Sequence, residues 1–262
     1  MVKGLYTAAA GMNAQQNNID IISNNLSNVN TVAFKKDRAE FAELMYQSLN
    51  YTANATSEST NNPTGMDVGL GVRISGVQKS FIQGSLKETG NDLDMAIQGK
   101  GFFAVTLPNG DLQYTRNGSF KQDPDGALVT AQGYKLEPEI VIDSDLINVS
   151  VAQDGIVSAS RPATGEIVQL GQIMVYDFVN QAGLSPKGNG LFSPTTTSGD
   201  PIEGAPFSDA FGSLQQGMLE SSNVQLVNSM VDLITAQRAY ESNSKAITTT
   251  NEMLQTVNQL KR

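Results

Sequence analysis

A narrow apolar seam recurs at both ends of this chain. Leu5, Met12, Ile19 and Leu26 stand seven residues apart, with Ala8, Gln15, Ile22 and Val29 at the companion position. At the other end Leu226, Leu233, Tyr240, Ile247 and Leu254 keep the same spacing, flanked by Met230, Ile234, Met253 and Val257. A seven-residue stripe covers too little of a helix to seat it in an ordinary core, and it suits a partner helix. The chain is built either to join its two ends or to give both to neighbours. Beside the second seam Gln237, Ser244, Asn251 and Asn258 repeat at the same interval. Polar groups there either fix register inside a contact or lie on a solvated face.

The first seam predicts a helix from about Lys3 to Asn28, ended by the turn-forming cluster Asn28 to Thr31. Phe34 to Tyr46 reads as a second, amphipathic helical piece through Phe41, Leu44 and Met45. The last helix is expected from Asn223, as its cap, to the final residues. From Val68 onward the pattern changes to short alternating or apolar runs, among them Val72 to Val77, Met95 to Ile97, Phe102 to Leu107 and Ile173 to Phe178. Asn109-Gly110, Asn117-Gly118, Asp125-Gly126 and Asp154-Gly155 fall between such runs as hairpin turns, so the middle is an antiparallel β domain. Between helices and strands, Gln47 to Pro63 is mostly Ser, Thr, Asn and Ala. It reads either as a surface loop or as a long hairpin that orders against a neighbour.

Charge divides along the same lines. The net charge of −9 falls on the middle, while the ends are close to neutral and can pack against copies of themselves without strong repulsion. No basic patch is present, so nucleic acid is not an expected partner. The chain has no cysteine and no histidine, which excludes disulfides, thiolate nucleophiles, Cys-ligated zinc and the usual base of serine hydrolases. No metal or cofactor site is expected. Three acidic pairs, Asp92 with Asp94, Asp123 with Asp125 and Asp143 with Asp145, offer the two carboxylates of a glycosidase, but each lies in turn-forming sequence. Asp123-Pro124-Asp125-Gly126 opens like a calcium loop and lacks the rest of its ligands. Gly69-Leu70-Gly71 and Gly99-Lys100-Gly101 lack the third glycine of a dinucleotide site and read as tight turns or close strand packing. The apolar stretch before Met12 is too short for a secretory signal or a membrane span.

Longer motifs are more specific. Leu5-Tyr6-Thr7-Ala8-Ala9-Ala10-Gly11-Met12, with Asn24-Asn25-Leu26-Ser27-Asn28-Val29-Asn30-Thr31 and Phe34-Lys35, resembles the N-terminal signature of bacterial flagellar rod and hook proteins. Leu219-Glu220-Ser221-Ser222-Asn223-Val224 and Gln237-Arg238-Ala239-Tyr240-Glu241-Ser242-Asn243-Ser244-Lys245 are similar to the closing signature of the same family. Asp94 to Phe103 and Tyr114 to Phe120 resemble its strand-and-turn motifs, so the likeness covers essentially the whole chain. Ala33 stands where that family often has glycine, and Asn251 where aspartate is common.

The resemblance implies an α+β fold in which both chain ends, residues 1–33 and 217–262, form a discontinuous antiparallel coiled-coil domain of an inner tube. Residues 34–85 become a connecting segment with a long hairpin or extended loop, and residues 86–216 an inserted antiparallel β domain of an outer layer. It further implies a non-enzymatic subunit of a helical homopolymer in the flagellar basal body, crossing the periplasm to the outer membrane and exported by the type III apparatus without a cleaved signal. Within the family, length and the polar stretch favour the distal rod, a straight drive shaft, over the proximal rod or hook; a non-flagellar β-domain binding protein is the outside alternative. The implied partners are itself, proximal rod proteins, the hook or hook-side junction, the rod cap and the P- and L-ring proteins. Leu5, Met12, Ile19, Ile22, Leu26, Val29, Leu226, Met230, Leu233, Tyr240, Ile247 and Leu254 are the expected assembly seams. Tyr46, Leu49, Tyr51 and Pro63 mark the expected inter-subunit hairpin.

Overall fold

The computed structural model describes residues 2–50, 55–57, 60–61, 66–143, 145–161, 166–208 and 211–260. It divides into two compact units. The first, Met1–Ser27, Asp37–Lys79 and Gln225–Arg262, holds two long helices and a β ribbon; the second, Asn28–Lys36 and Ser80–Val224, is almost wholly β. The protein is thus α+β, with a helix at each end and a β-rich middle.

In the helical unit, α1 (Val2–Ser27) packs against α2 (Leu226–Leu260). Gly11 lies against Asn243, where a methyl group would stand 2.9 Å from the side-chain amide nitrogen. The partly buried positions of α2 run from Ser229 to Leu254, a stretch as long as α1. An antiparallel run through the Gly11 crossing sets Lys3 beside Asn251 and Ser27 beside the start of α2, covering that stretch. A parallel run would leave Ser229 and Leu233 bare. Thr235, Thr249, Thr250 and Thr256 each turn their hydroxyl onto the carbonyl one turn back, so these polar residues are satisfied within α2.

Where a second helical piece is expected after Phe34, the chain is instead a strand, β1 (Asp37–Glu43). With β2 (Tyr46–Asn50), β3 (Ala55–Ser57), β4 (Thr60–Asn61), β5 (Met66–Gly69) and β6 (Val72–Lys79) it makes a ribbon of three antiparallel pairs, β1 with β6, β2 with β5 and β3 with β4. Register explains the difference. Ala39, Phe41, Val77, Ile74 and Val72 share one face of the β1–β6 pair, and Arg38, Glu40, Arg73 and Gln78 the other. The paired residues lie 29 to 42 positions apart, from Glu43 with Val72 to Asp37 with Lys79, beyond any local periodicity. Asn25 ties the base of the ribbon to α1, donating to the Asp37 carbonyl at 2.7 Å and accepting from its amide at 2.8 Å. An ion pair of Lys79 with Asp37 at 2.8 Å closes the same end. Further out, Gly71 passes Thr7 and Ala10, and Lys3 donates to Gln47, so the ribbon runs back along α1.

The β unit is organised by a seven-stranded antiparallel sheet. Short strands β7 (Leu86–Glu88) and β8 (Met95–Gln98) precede it and pair with Met218–Glu220 and Ser213–Gln216. The sheet runs β11 (Phe120–Gln122), β12 (Leu128–Thr130), β13 (Lys135–Glu137), β9 (Phe103–Thr106), β10 (Leu112–Thr115), Leu191–Ser193 and Ser185–Gly188. Phe102 to Val105 is an unbroken apolar run because both faces of β9 are covered. Phe103 and Val105 join a core with Ile97, Phe120, Leu136 and Ile173, while Phe102 and Ala104 face Tyr114, Phe178 and Phe192. The second cluster is aromatic and packs edge to face, with Phe102 5.8 Å from Phe178 and Tyr114 4.9 Å from Phe178. Gly101 explains one Gly-x-Gly piece: its φ is +132°, and a methyl group would fall 2.0 Å from Val175.

Candidate assembly surfaces

The seam residues divide into two sets. On α1, Leu5, Met12, Ile19, Ile22 and Leu26 are all half-buried, and Val29 in the turn that follows is half-buried as well. On α2, Leu233, Ile247 and Leu254 are half-buried, whereas Leu226, Met230 and Tyr240 are exposed. The companions that complete the inward stripe of α2 are Ala236, Asn243 and Thr250, at a spacing that alternates with Leu233, Ile247 and Leu254. None of the three carries a large apolar side chain, so they leave no mark on the apolar periodicity. Their smallness and polarity suit a close helix crossing, as at Gly11, and Ala236 is the one fully buried residue of α2. Of the polar seam residues, Ser244 is half-buried, while Gln237, Asn251 and Asn258 are exposed.

Around the helices, apolar residues remain uncovered. Val227, Met230, Val231 and Ile234 lie within two turns of α2 and are 46–70% exposed; Met253, Val257 and Leu260 form a second group. On the ribbon, Phe41, Met45, Tyr46 and Val77 are exposed too. Tyr46 donates its hydroxyl to Glu43 at 2.8 Å, and this bond raises its pKa. Leu49 falls within β2, whereas Tyr51 and Pro63 lie outside the described residues.

A buried charge node, built from residues far apart in sequence, was not legible beforehand. Lys35 and Glu220 meet at 2.6 Å with both side chains 1% exposed, and Arg116 stands 3.6 Å from the second Glu220 oxygen. The Glu220 carboxylate also accepts the Gly84 amide at 2.8 Å, and its backbone carbonyl accepts the Ala33 amide at 2.8 Å. Gly84 must be glycine, since a methyl group would lie 2.0 Å from the Ser221 carbonyl oxygen. Arg116 donates to the Gly99 carbonyl at 2.8 Å and stacks 5.3 Å above the Phe102 ring. Burial lowers the pKa of Lys35 against the pull of Glu220, and lowers that of Arg116 in the same way. Asn223, expected as the cap of the last helix, belongs to this region instead. It accepts the Lys36 amide and donates to the Ser80 and Ile82 carbonyls at 2.8–2.9 Å, and α2 starts three residues later. The node therefore cross-links the segments through which the chain leaves and re-enters the β unit.

The acidic pairs are turn residues. Asp94 accepts from Thr89 at 2.6 Å and Asn91 at 3.1 Å, and the Asp123 carbonyl receives the Gly126 amide at 2.8 Å. Asp143 likewise closes a turn by accepting the Leu146 amide at 3.0 Å. Among the described residues no group of acidic side chains is arranged to hold a metal ion, and no helix is long and apolar enough to cross a membrane.

Known proteins resemble the chain along its length. Residues 5–35 match the family "Flagella basal body rod protein", residues 96–159 the "Flagellar hook protein FlgE/F/G D1 domain" and residues 215–260 the "Flagellar basal body rod FlgEFG protein C-terminal". The flagellar basal-body rod protein FlgG of Borreliella burgdorferi is 48% identical over the full length of both chains. That of Agrobacterium fabrum is 44% identical over 96% of this chain and 97% of its own. The hook-basal body complex protein FlhP of Bacillus subtilis is 34% identical over both whole chains. The hook protein FlgE2 of Helicobacter pylori matches at 12% identity over 71% of this chain and 43% of its own, with a TM-score of 0.25 that bears no weight here. With full-length identity at this level, and a family match at the first seam, the β middle and the second seam, the chain belongs to the FlgG family of flagellar basal-body rod proteins and is a structural subunit of the flagellar rod.

Proposed function

We propose that the protein builds the distal rod, a straight, rigid tube that carries torque towards the hook, by polymerising through its helical unit. The observation that carries this reading is the apolar surface left open on α2 and the ribbon, in a unit whose only buried apolar residues among those described are Ala14 and Ala236. Covering a Val, Ile, Leu or Met side chain contributes about 1.5–3 kcal/mol. Several per copy are enough to make association the stable state.

In this arrangement α1 and α2 form an antiparallel coiled coil in the inner tube, with the assembly seams at Leu5 to Leu26 and Leu226 to Leu254. The ribbon, including the segment from Tyr46 to Pro63, bridges neighbouring copies and holds the tube straight. The β unit forms the outer layer. Its partners are proximal rod proteins below, the hook-side junction above, the rod cap during growth and the P- and L-ring proteins around it. Subunits arrive through the type III export apparatus.

Electron microscopy of basal bodies from a strain lacking this gene tests the assignment. A truncated rod without a hook is expected. A complete rod lacking only the hook would move the protein to the hook, and intact flagella would overturn the reading.

A further inference from the structure

An asparagine followed by glycine can react with its own backbone, because glycine has no side chain to shield its amide nitrogen from the asparagine carboxamide. The sequence has three such pairs, Asn109-Gly110, Asn117-Gly118 and Asn189-Gly190. The fold treats them differently. At the first, the Gly110 amide donates to the Leu107 carbonyl at 2.9 Å, and the Asn109 side chain donates to the Asp111 carboxylate at 2.6 Å and accepts the Asp111 amide at 3.3 Å. At the second, Gly118 is buried and its carbonyl accepts the Met95 amide at 3.0 Å, while the Asn117 side chain accepts the Ser119 amide at 3.0 Å and the Asn117 amide donates to the Thr115 hydroxyl at 3.0 Å. A methyl group on Gly118 would fall 1.6 Å from the Met95 carbonyl oxygen, so this peptide has no room to rotate.

The third pair is open. Asn189 and Gly190 are the central residues of the hairpin between Ser185–Gly188 and Leu191–Ser193, with φ of 54° and 74°, as in the type I′ turn that Asn-Gly favours. Both are exposed, and among the described residues neither the Asn189 side chain nor the Gly190 amide is hydrogen-bonded. Gly188 and Gly190 leave the backbone on either side of Asn189 free to turn, and a methyl group on Gly188 would meet nothing within 4 Å.

We infer that Asn189 is a site of spontaneous deamidation. The Gly190 nitrogen attacks the Asn189 Cγ and closes a five-membered succinimide, while the Cγ–Nδ2 bond breaks and the proton lost from the Gly190 nitrogen leaves with the ammonia. Water then opens the ring. Addition at Cγ gives aspartate, and addition at the main-chain carbonyl carbon gives isoaspartate, whose backbone runs through Cβ. The net change turns amide and water into acid and ammonia, with no oxidant, metal or enzyme. Either product adds a negative charge two residues from Lys187. Isoaspartate also adds a backbone carbon to a turn that keeps Gly188 opposite Leu191 and holds the Gly190 carbonyl on the Thr115 hydroxyl at 2.9 Å. Leu191 and Phe192 are buried directly beyond, so the change loosens one edge of the seven-stranded sheet.

Peptide mapping by mass spectrometry tests this on the purified full-length chain, aged in mildly alkaline buffer with a parallel sample in denaturant. In the folded chain Asn189 should convert at least about tenfold faster than Asn109 and Asn117, whose rings close only after two or more hydrogen bonds break. In denaturant the three rates should converge. Conversion led by Asn109 or Asn117, or equal at all three sites in the folded chain, would overturn the inference, as would a spread that persists in denaturant. Asn189→Gln, which needs a larger ring, should abolish the early release of ammonia, and unchanged release would place the reactive amide elsewhere. The aged chain should melt at a lower temperature than Asn189→Asp, which carries the charge without the extra backbone carbon. Equal midpoints would refute the loosened edge.

Discussion

The β unit buries an apolar core of its own, even though Ile82, Ile167, Val179 and Phe207 stay exposed, and the helical unit buries almost none. Among the described residues, Ala14 and Ala236 are the only buried apolar residues of the helical unit; the β unit buries Phe102, Phe103, Ile97, Leu136, Ile173 and many more. Both are made by one chain of moderate hydrophobicity, so the difference lies in arrangement. The central strand β9 is covered on both faces, while each long helix of the helical unit has one inward face and one left open. A closed core gives a subunit that survives alone. An open one gives a subunit whose stability is completed by its neighbours, as a polymer requires.

The contrast predicts where single substitutions hurt an isolated subunit. The largest effect is expected at Glu220, the only acid between Lys35 and Arg116 in the node. Glu220→Ala leaves two buried cations unpaired and should cost about 3–5 kcal/mol. Glu220→Gln, which keeps an acceptor for the Gly84 amide, should cost less. Denaturant midpoints of the purified chain report both, and equal midpoints for Glu220→Ala and the parent would show that the node contributes nothing.

A matched pair of leucines sharpens the comparison. Leu136, fully buried beside β9, should lose about 2–5 kcal/mol on replacement by alanine. Leu254, half-buried on α2, should lose less than about 1 kcal/mol in the monomer, because much of its surface is already in water. The order should reverse for rod assembly in complementation, where Leu254→Ala is the more harmful. Equal loss in the monomer would mean that the helical unit carries a core of its own.

Legibility from sequence follows the same division. The first helix ends within a residue or two of its expected limits because periodicity and the Asn28 to Thr31 turn are local signals. The Asp-Gly and Asn-Gly turns of the β unit are local too. β1 was hidden because its partner β6 is distant, and Phe41, Leu44 and Met45 happen to keep helical spacing. The node was hidden for a related reason: Lys35 and Glu220 are 185 residues apart, and a lone charge in sequence gives no sign of being buried. Ala236, Asn243 and Thr250 give no apolar signal in the sequence, because a close helix crossing selects small side chains rather than large ones.

A gain is expected at Ala33. It is buried, its φ is 56°, and its amide is held by the Glu220 carbonyl, so the strained backbone is fixed from outside. The left-handed conformation costs an L-residue about 1–2 kcal/mol, and glycine gives back about 0.5–1 kcal/mol in unfolded-state freedom. Ala33→Gly should therefore raise stability by about 0.5–1 kcal/mol, seen as a higher thermal midpoint. A lower midpoint would mean that the buried methyl contributes more than the strain removes.

The smallest effect is a pH dependence confined to the β unit. Burial, and then the nearby Glu203, push the Tyr176 hydroxyl up from 10.0 to about 12. The folded state then holds a proton that the unfolded state releases first, so the associated stability is complete below pH 10 and is lost as pH climbs to about 12. Burial raises Tyr114 in the same direction. Lys35 works with the opposite sign: its lowered pKa adds stability as pH rises towards 10.5, and that gain is over before the tyrosine loss is complete. Denaturant midpoints followed from pH 9 to 12 should fall for the parent and fall less for Tyr176→Phe, with Tyr114 supplying the remainder. Parallel curves would place the alkaline weakness elsewhere. The helical unit, with no buried tyrosine among its described residues, is then where to look, and the closed core would no longer be what fails first in base.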